Sequence, residues 1–220
     1  MGERTVIAID GPAASGKSTV ARLLARRLGL VYVNSGAMYR AVTWWMLGQG
    51  ADPDSPESIL PLLPRMPMEC GIEDGASTIR MGGEDPGEAL NQETVNKNVS
   101  AIARIPEVRR LLVDRQRKYA EQCDLVMEGR DMGTVVFPGT PYKFYIDASP
   151  EVRALRRARQ GLHDAINDRD KADTSRKASP LAIAQDACVI DSSDLTVDGV
   201  VEAILDRLKV KGLQGLEEHK

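Results

Sequence analysis

The sequence predicts an α/β fold built on a doubly wound, mainly parallel sheet. Short apolar runs rich in β-branched residues alternate along the chain with longer amphipathic stretches. The first apolar run is followed by a glycine-rich turn and then by a helical pattern. A length of 220 residues, with 42% hydrophobic and 28% charged residues, is enough for one core domain that carries an elaboration.

The first predicted unit is a strand, a glycine-rich loop and a helix. Val6 to Asp10 is typical of a buried parallel strand, and Gly29 follows an apolar helical face as its stop. Between them the chain matches the pattern G-x-x-x-x-G-K-[ST], which in this context predicts a phosphate-binding loop. Its N–H groups would cradle phosphate oxygens, Lys17 would reach the β- and γ-phosphates, and the Ser18 hydroxyl would ligate Mg²⁺. The residues predicted to bind the nucleoside triphosphate here are Gly11, Pro12, Ala13, Ala14, Ser15, Gly16, Lys17, Ser18 and Thr19.

The next stretch contains a strand, a helix and a change of character. Leu30 to Val33 predicts the second strand, and Ala37 to Leu47 predicts a helix that Gly48 ends. Prolines then crowd the chain between Ala51 and Glu93. Two strand-like pieces around Glu69–Ile72 and Thr78–Met81 flank the turn EDGAS, which predicts a small hairpin within an inserted subdomain.

The α/β alternation resumes at Pro106. A helix starting at Pro106, the strands LVME and YKFYID, a helix opened by Pro150, the strand CVID and a closing amphipathic helix follow in order. We therefore expect a core domain over residues 1–50 and 101–210, an inserted subdomain over 51–100, and a frayed tail over 211–220.

Composition restricts the partners and the compartment. A net charge of −3 gives no general reason to expect a nucleic acid partner, and no apolar stretch reaches the length of a membrane span. Cys70, Cys123 and Cys188 are odd in number and lack C-x-x-C spacing, which is typical of reduced thiols rather than a zinc site. We expect a cytoplasmic monomer that contacts neither nucleic acid nor membrane.

Arginines are the groups that a phosphoryl-transfer site needs beyond the loop, because a guanidinium pairs with phosphate through two hydrogen bonds. Three polar clusters supply candidates, and two of them follow predicted strands on the side of the phosphate-binding loop. The stretches are NSGAMYR with Ser35, Tyr39 and Arg40, MEGRDMGT with Arg130 and Asp131, and NDRDKADTSRKASP with Arg169, Asp173 and Arg176.

Four stretches together resemble one enzyme family. IDGPAASGKST, VNSGAMYRA, EGRDMGTVVFP and RDKADTSRKASPL, in this order and spacing, are similar to bacterial cytidylate kinases. Those nucleoside monophosphate kinases transfer the γ-phosphate of ATP to CMP or dCMP. The resemblance runs from about Val6 to Leu208 and implies a core domain, a monophosphate-binding insertion and a lid, here residues 158–177.

The resemblance also implies roles for individual residues. Ser35, Tyr39, Arg40, Arg130 and Arg176 would serve CMP, and Ser100, Arg109 and Asp131 would meet the cytosine edge. From the lid, Arg169 and Asp173 would reach the sugar and the phosphates. The catalytic set would be Lys17, Arg130, Arg169 and Arg176, with Mg²⁺ bound alongside ATP.

Several alternatives stay open at this stage. Arg157 would lie near ATP, and Arg153 or Arg156 could take its place because only GLHDAI separates RALRRARQ from NDRD, which is short for the family's lid. Glu128 would act structurally or through a water bound to Mg²⁺, and Asp131 would read the base or merely orient Arg130.

Two other functions also stay open. A regulatory GTPase would need N-K-x-D, and the candidate NKNV lacks the aspartate. The same reaction on another acceptor also stays open, because only the resemblance argues against it. Such acceptors are UMP, AMP, shikimate and dephospho-coenzyme A.

Overall fold

The fold is a single mixed sheet with helices on both faces. The computed structural model describes residues 4–159, 172–176 and 179–213. Over these residues, seven strands lie in the order β3-β4-β2-β5-β1-β6-β7. They are β1 (Val6–Asp10), β2 (Val31–Asn34), β3 (Met68–Glu73), β4 (Ala76–Met81), β5 (Leu125–Gly129), β6 (Tyr142–Asp147) and β7 (Cys188–Asp191). The predicted doubly wound, mainly parallel sheet is confirmed.

The parallel strands place the predicted ligand-binding segments side by side. β1 lies between β5 and β6, and Asp10 at its end stands opposite Gly129 on one side and Tyr145 on the other. The phosphate-binding loop leaves β1, and the GRD segment leaves β5. Because both strands run in the same direction, the two segments meet at the same edge of the sheet.

The proline-rich stretch adds two strands to this sheet. β3 and β4 form the predicted antiparallel hairpin, and β4 pairs with β2 through Ala76 and Tyr32. The hairpin is therefore continuous with the central sheet at this edge. The division into a core and an inserted subdomain stays a prediction.

Two groups of helices cover the two faces of the sheet. The α-helices are α1 (Lys17–Arg27), α2 (Ser35–Gly48), α3 (Pro56–Ile59), α4 (Glu93–Ile102), α5 (Pro106–Gln122), α6 (Pro150–Arg159) and α7 (Val197–Val210). Apolar residues of α2, α4 and α5 pack into one core with Val33 and Met127. Those of α1 and α7 pack into a second core with Ile7 and Phe144. Along the described chain, no helix is long and apolar enough to cross a membrane.

The start of α2 and the presence of α4 differ from the sequence-based expectation. α2 begins at Ser35 rather than Ala37, because the Asn34 side chain accepts the Ala37 N–H at 3.0 Å and caps the helix. α4 was not expected, although its buried residues Val95, Val99 and Ile102 have helical spacing. Ser100 lies on this helix, so α4 brings a predicted CMP-binding residue toward the site.

Candidate active site

A cavity of about 640 Å³ lies at the carboxyl ends of β1, β2 and β5. Its wall combines the phosphate-binding loop, the start of α2, the GRD segment, parts of α4 and α5, and the described residues of the lid. The predicted site residues that line it are Ala13, Ala14, Gly16, Lys17, Ser18, Thr19, Ser35, Tyr39, Arg40, Ser100, Arg109, Arg130, Asp131, Arg157, Asp173 and Arg176. The structure thus brings together residues that are scattered along 160 positions of sequence.

The phosphate-binding loop needs glycine at two positions for different reasons. A Cβ on Gly11 would overlap the carbonyl oxygen of Ile146 on β6. Gly16 has φ 90°, a left-handed conformation, directly before α1 begins at Lys17. The loop therefore packs tightly against the sheet and turns sharply into the N-terminus of a helix, where an anion is favoured.

The carbonyl groups of the loop are engaged by cationic side chains. The Lys17 ammonium donates to the Pro12 carbonyl at 3.0 Å, and the Lys17 side chain is almost wholly buried. From α6, Arg153 donates to the Ala13 carbonyl at 3.3 Å. These bonds fix the loop before any nucleotide arrives, so the site is pre-organised on its donor side.

Of the next two arginines of α6, Arg156 supports the loop and Arg157 lines the cavity. Arg156 donates to the carbonyls of Ser15 at 3.1 Å and Ser192 at 2.7 Å. The Ser192 hydroxyl donates to the same Ser15 carbonyl at 2.9 Å. Arg157 lines the cavity, so its contact with ATP stays a prediction, while Arg153 and Arg156 support the loop from behind. Ser192 was missed because serine after a strand is an ordinary loop residue.

An oxygen-rich pair beside the loop fits a magnesium ion. The Ser18 hydroxyl donates to the Glu128 carboxylate at 2.8 Å, and Glu128 is 3% exposed. The Tyr32 hydroxyl also donates to this carboxylate, at 3.4 Å. A hydroxyl and a carboxylate are hard oxygen donors of the kind Mg²⁺ prefers. The donor set therefore fits the ion that the phosphate-binding loop implies.

A buried ion pair also lines the cavity. Arg109 of α5 donates to the Asp131 carboxylate, and both side chains are less than 5% exposed. Arg109 also donates to the Ala103 carbonyl at 3.2 Å and lies 5.4 Å from the centre of the Tyr39 ring. Asp131 is thus paired with Arg109, and its role toward the base or toward Arg130 stays a prediction.

A second group of charges comes from the GRD segment and the lid. Arg130 donates to Asp173 at 2.8 Å, and Arg176 lies 3.5 Å from the same carboxylate. Burial lowers the pKa of the Arg176 guanidinium, and the charge of Asp173 opposes that effect. Arg169, and most of the predicted lid over 158–177, lie outside the described residues.

The remaining predicted residues sit around these charges. The Ser35 hydroxyl donates to the Glu128 carbonyl at 2.7 Å, which ties the start of α2 to the end of β5. Burial raises the pKa of Tyr39 to about 12, so its hydroxyl stays neutral and able to donate. Arg40 and Ser100 line the cavity.

The stretch over 51–100 contributes wall residues that sequence reasoning did not assign. They are Glu88, Asn91, Asn96 and Val99. Asn96 and Ser100 are four residues apart and so share one face of α4. The helical spacing of the apolar residues of α4 could have predicted this helix from the sequence. It was overlooked because the preceding stretch is crowded with prolines.

A phosphate-binding loop and a cluster of arginines that line one cavity are the parts of a P-loop phosphotransferase. The family described as Cytidylate kinase matches residues 7–210. The chain belongs to the cytidylate kinase family, and it is accordingly a nucleoside monophosphate kinase. This confirms the family resemblance and the predicted enzyme class.

Individual relatives match over nearly the whole chain. The cytidylate kinase of Solibacter usitatus is 42% identical, and the match covers 97% of this chain and 96% of that protein. The cytidylate kinase of Streptomyces griseus is 40% identical, over 94% of this chain and 93% of that protein. A bifunctional pantoate ligase/cytidylate kinase of Synechococcus is 39% identical, and there the chain spans 45% of the relative's length.

Proposed function

We propose that the protein transfers the γ-phosphate of ATP to CMP or dCMP, giving ADP and CDP or dCDP. The observation that carries this proposal is the single cavity with a phosphate-binding loop on one wall and two arginine–carboxylate groups on the other. Such an arrangement supplies what phosphoryl transfer requires, namely two substrates held in line and neutralisation of the charge on the transferred group.

The donor side binds ATP through the loop over residues 11–19. Lys17 lies beside the β- and γ-phosphates in this proposal, and the loop N–H groups hold the remaining phosphate oxygens. Ser18 and Glu128 would hold Mg²⁺, directly or through a bound water. The ion would supply neutralisation of the charge on the phosphates of ATP.

The acceptor side binds the phosphate of CMP through Arg40, Arg130 and Arg176. A phosphate monoester carries a charge of about −1.5 to −2 near neutral pH, so it attacks without a general base. The arginines counter the repulsion between this anion and the γ-phosphate. Arg169, from the lid, belongs to the proposed catalytic set on the resemblance alone.

The cytosine ring is read at its polar edge. Asp131 accepts from the exocyclic amino group, Arg109 donates to the ring nitrogen, and Ser100 donates or accepts beside them. Uracil presents a carbonyl and an N–H at these positions. Its carbonyl would face the Asp131 carboxylate, acceptor against acceptor, and its N–H would face the Arg109 guanidinium, donor against donor. The burial of the Arg109–Asp131 pair supports this role, because an unmatched polar group is most costly where water is excluded.

An acceptor panel in an ATP-coupled assay tests the proposed function. CMP and dCMP should be turned over, and UMP, AMP, shikimate and dephospho-coenzyme A should be poor substrates. Fast turnover of one of the latter group, with CMP inert, would contradict the proposal. Steady ATP hydrolysis that needs no acceptor would instead favour a regulatory nucleotidase.

We also infer a setting in pyrimidine nucleotide metabolism, in the cytoplasm, as a monomer with no nucleic acid or membrane partner. Three free thiols support a reducing compartment. The net charge of −3 supports the absence of a nucleic acid partner. Sedimentation of the purified protein at low and high concentration tests the monomer.

A further inference from the structure

Asp10 is a buried carboxylate to which the proposed reaction assigns no role. It is the last residue of β1 and only 4% exposed. Its Oδ1 accepts the N–H of Met132 at 2.8 Å, and its Oδ2 accepts the N–H of Gly133 at 2.8 Å. Two hydrogen bonds from adjacent amides fix a direction as well as a distance, and they are stronger when the carboxyl group is ionised.

The two amides begin the turn that follows Arg130 and Asp131. Residues Met132–Val136 form one π-helical turn, in which the N–H groups of Val135 and Val136 bond to the Asp131 carbonyl. The first N–H groups of such a turn have no carbonyl within the turn to bond with. Asp10 supplies that acceptor, from a residue 122 positions away in sequence.

We propose that Asp10 is a positioning residue, whose carboxylate fixes the segment carrying Arg130 and Asp131 relative to the phosphate-binding loop. The inference rests on the proposed function, in which those two residues hold CMP. Asp10 is followed directly by Gly11, the first residue of the loop. The carboxylate therefore links the first residues of the donor wall to the acceptor wall.

Losing the Asp10 carboxylate should impair the use of CMP and leave the binding of ATP unchanged. The backbone of Asp10 is held by its register with Gly129 and Tyr145, whatever its side chain. The loop has separate support, since Arg153 and Arg156 bond to its carbonyls. Over the described residues, the hydrogen bonds of the carboxylate go to the turn at Met132, so its loss should appear in the kinetics of CMP.

A substitution at Gly133 tests the same contact independently. A Cβ at this position would lie 3.1 Å from Cδ of Lys143 and 3.4 Å from Oδ2 of Asp10. The first distance is tighter than ordinary packing, so either the Lys143 side chain or the turn must shift by a few tenths of an ångström. Gly133→Ala therefore crowds the contact while leaving Asp10 in place.

The titration of Asp10 supplies a spectroscopic signature. Burial raises the pKa of Asp10 to about 7, and the N–H bonds from Gly133 and Met132 oppose that increase. The negative charge of Asp131 raises the pKa further, and the positive charge of Arg130 lowers it. Protonation near neutral pH should therefore be visible at the two amides.

Steady-state kinetics of Asp10→Asn test the proposal. The amide keeps the size of the side chain but turns an NH₂ group toward one of the two N–H donors. We expect kcat/KM for CMP to fall at least tenfold, while KM for ATP stays within twofold. Asp124→Asn is the matched control, because Asp124 also accepts a backbone N–H, from Thr5 at 2.7 Å, at the opposite end of the sheet. It should change neither value.

Equal losses for CMP and ATP, or no loss for CMP, would overturn the proposal. An inactive wild-type enzyme with CMP would instead reject the proposed function, so the two failures are distinguishable. If Asp10→Asn does not fold, amide NMR of the wild type decides the matter. The N–H signals of Met132 and Gly133 should be protected from exchange and shift together with pH near 7. Exchange at the rate of exposed loops would overturn the proposal, while a CMP-specific loss in Gly133→Ala would support it.

Discussion

Replacing Asp131 by Asn tests whether the buried ion pair reads the base. The substitution turns an acceptor-only group into one that also donates, at a site where both partners are less than 5% exposed. A hydrogen bond to a charged group contributes about 1.5–3 kcal/mol. Losing the bond to the cytosine amino group should therefore lower kcat/KM for CMP by about 10- to 100-fold.

The effect on UMP should have the opposite sign relative to CMP. The new NH₂ group can donate to the uracil carbonyl that the carboxylate repelled. A buried site built for one hydrogen-bonding pattern can discriminate by about 10⁴-fold. We expect the ratio of kcat/KM for UMP to that for CMP to rise by about 100-fold, as the product of the loss for CMP and the gain for UMP.

The assay measures kcat/KM for both acceptors at saturating ATP, in the native enzyme, Asp131→Asn and Asp124→Asn. Thermal unfolding of each variant shows whether the fold withstands the loss of the charged pair with Arg109. Asp124→Asn should keep the native ratio, because Asp124 bonds to Thr5 and does not line the cavity. If CMP and UMP fall by the same factor in Asp131→Asn, the ion pair is structural and the base is read elsewhere.

Three further predictions concern the loop, the acceptor phosphate and pH. Lys17→Ala should lower kcat at least 100-fold, about 2.7 kcal/mol, because it removes charge beside the transferred phosphate. Near-native kcat in a folded variant would contradict the role of the loop. Arg130→Ala should weaken CMP binding by about 2–5 kcal/mol when each substrate is titrated separately. An equal weakening of ATP binding would contradict the assignment of Arg130 to the acceptor. The pKa of Asp10, about 7 against an ordinary 3.8, means that the folded state holds its proton longer than the unfolded state. The native enzyme should therefore lose stability relative to Asp10→Asn as pH rises from about 4 to about 7, by on the order of 4 kcal/mol. Urea unfolding at pH 4 and pH 8 measures this, and parallel changes in both proteins would refute it.

The parts of the fold that sequence reasoning predicted are those set by local patterns. β1, the loop and α1 follow from an apolar run, glycines at fixed offsets and a helical face that ends before Gly29. Each of these signals acts over fewer than twelve residues. The hairpin was predicted on the same grounds, but its pairing with β2 was not, because no local pattern specifies which strand lies next to a hairpin.

The contacts within the site depend on the tertiary fold and could not be read in the same way. The family resemblance placed Arg109 and Asp131 together at the cytosine edge, but spacing alone does not show that they form a buried pair. Ser18 and Glu128 are 110 positions apart and Asp10 and Gly133 are 123 apart. A signal for Asp10 did exist, since a carboxylate that ends an otherwise apolar, buried strand must find partners.

These long-range contacts share a pattern that bears on the chemistry. The donor loop leaves β1 and the acceptor segment leaves β5, and these strands are neighbours in the sheet. Asp10 reaches from the end of β1 to the turn after β5, while Glu128 reaches from β5 to Ser18 of the loop. Each wall of the cavity is thus held by a carboxylate from the strand that carries the other wall. In-line transfer tolerates little error, since a displacement of about 1 Å can cost about 100-fold in rate. Two carboxylates that cross between adjacent strands fix the relative position of the two walls before either substrate binds.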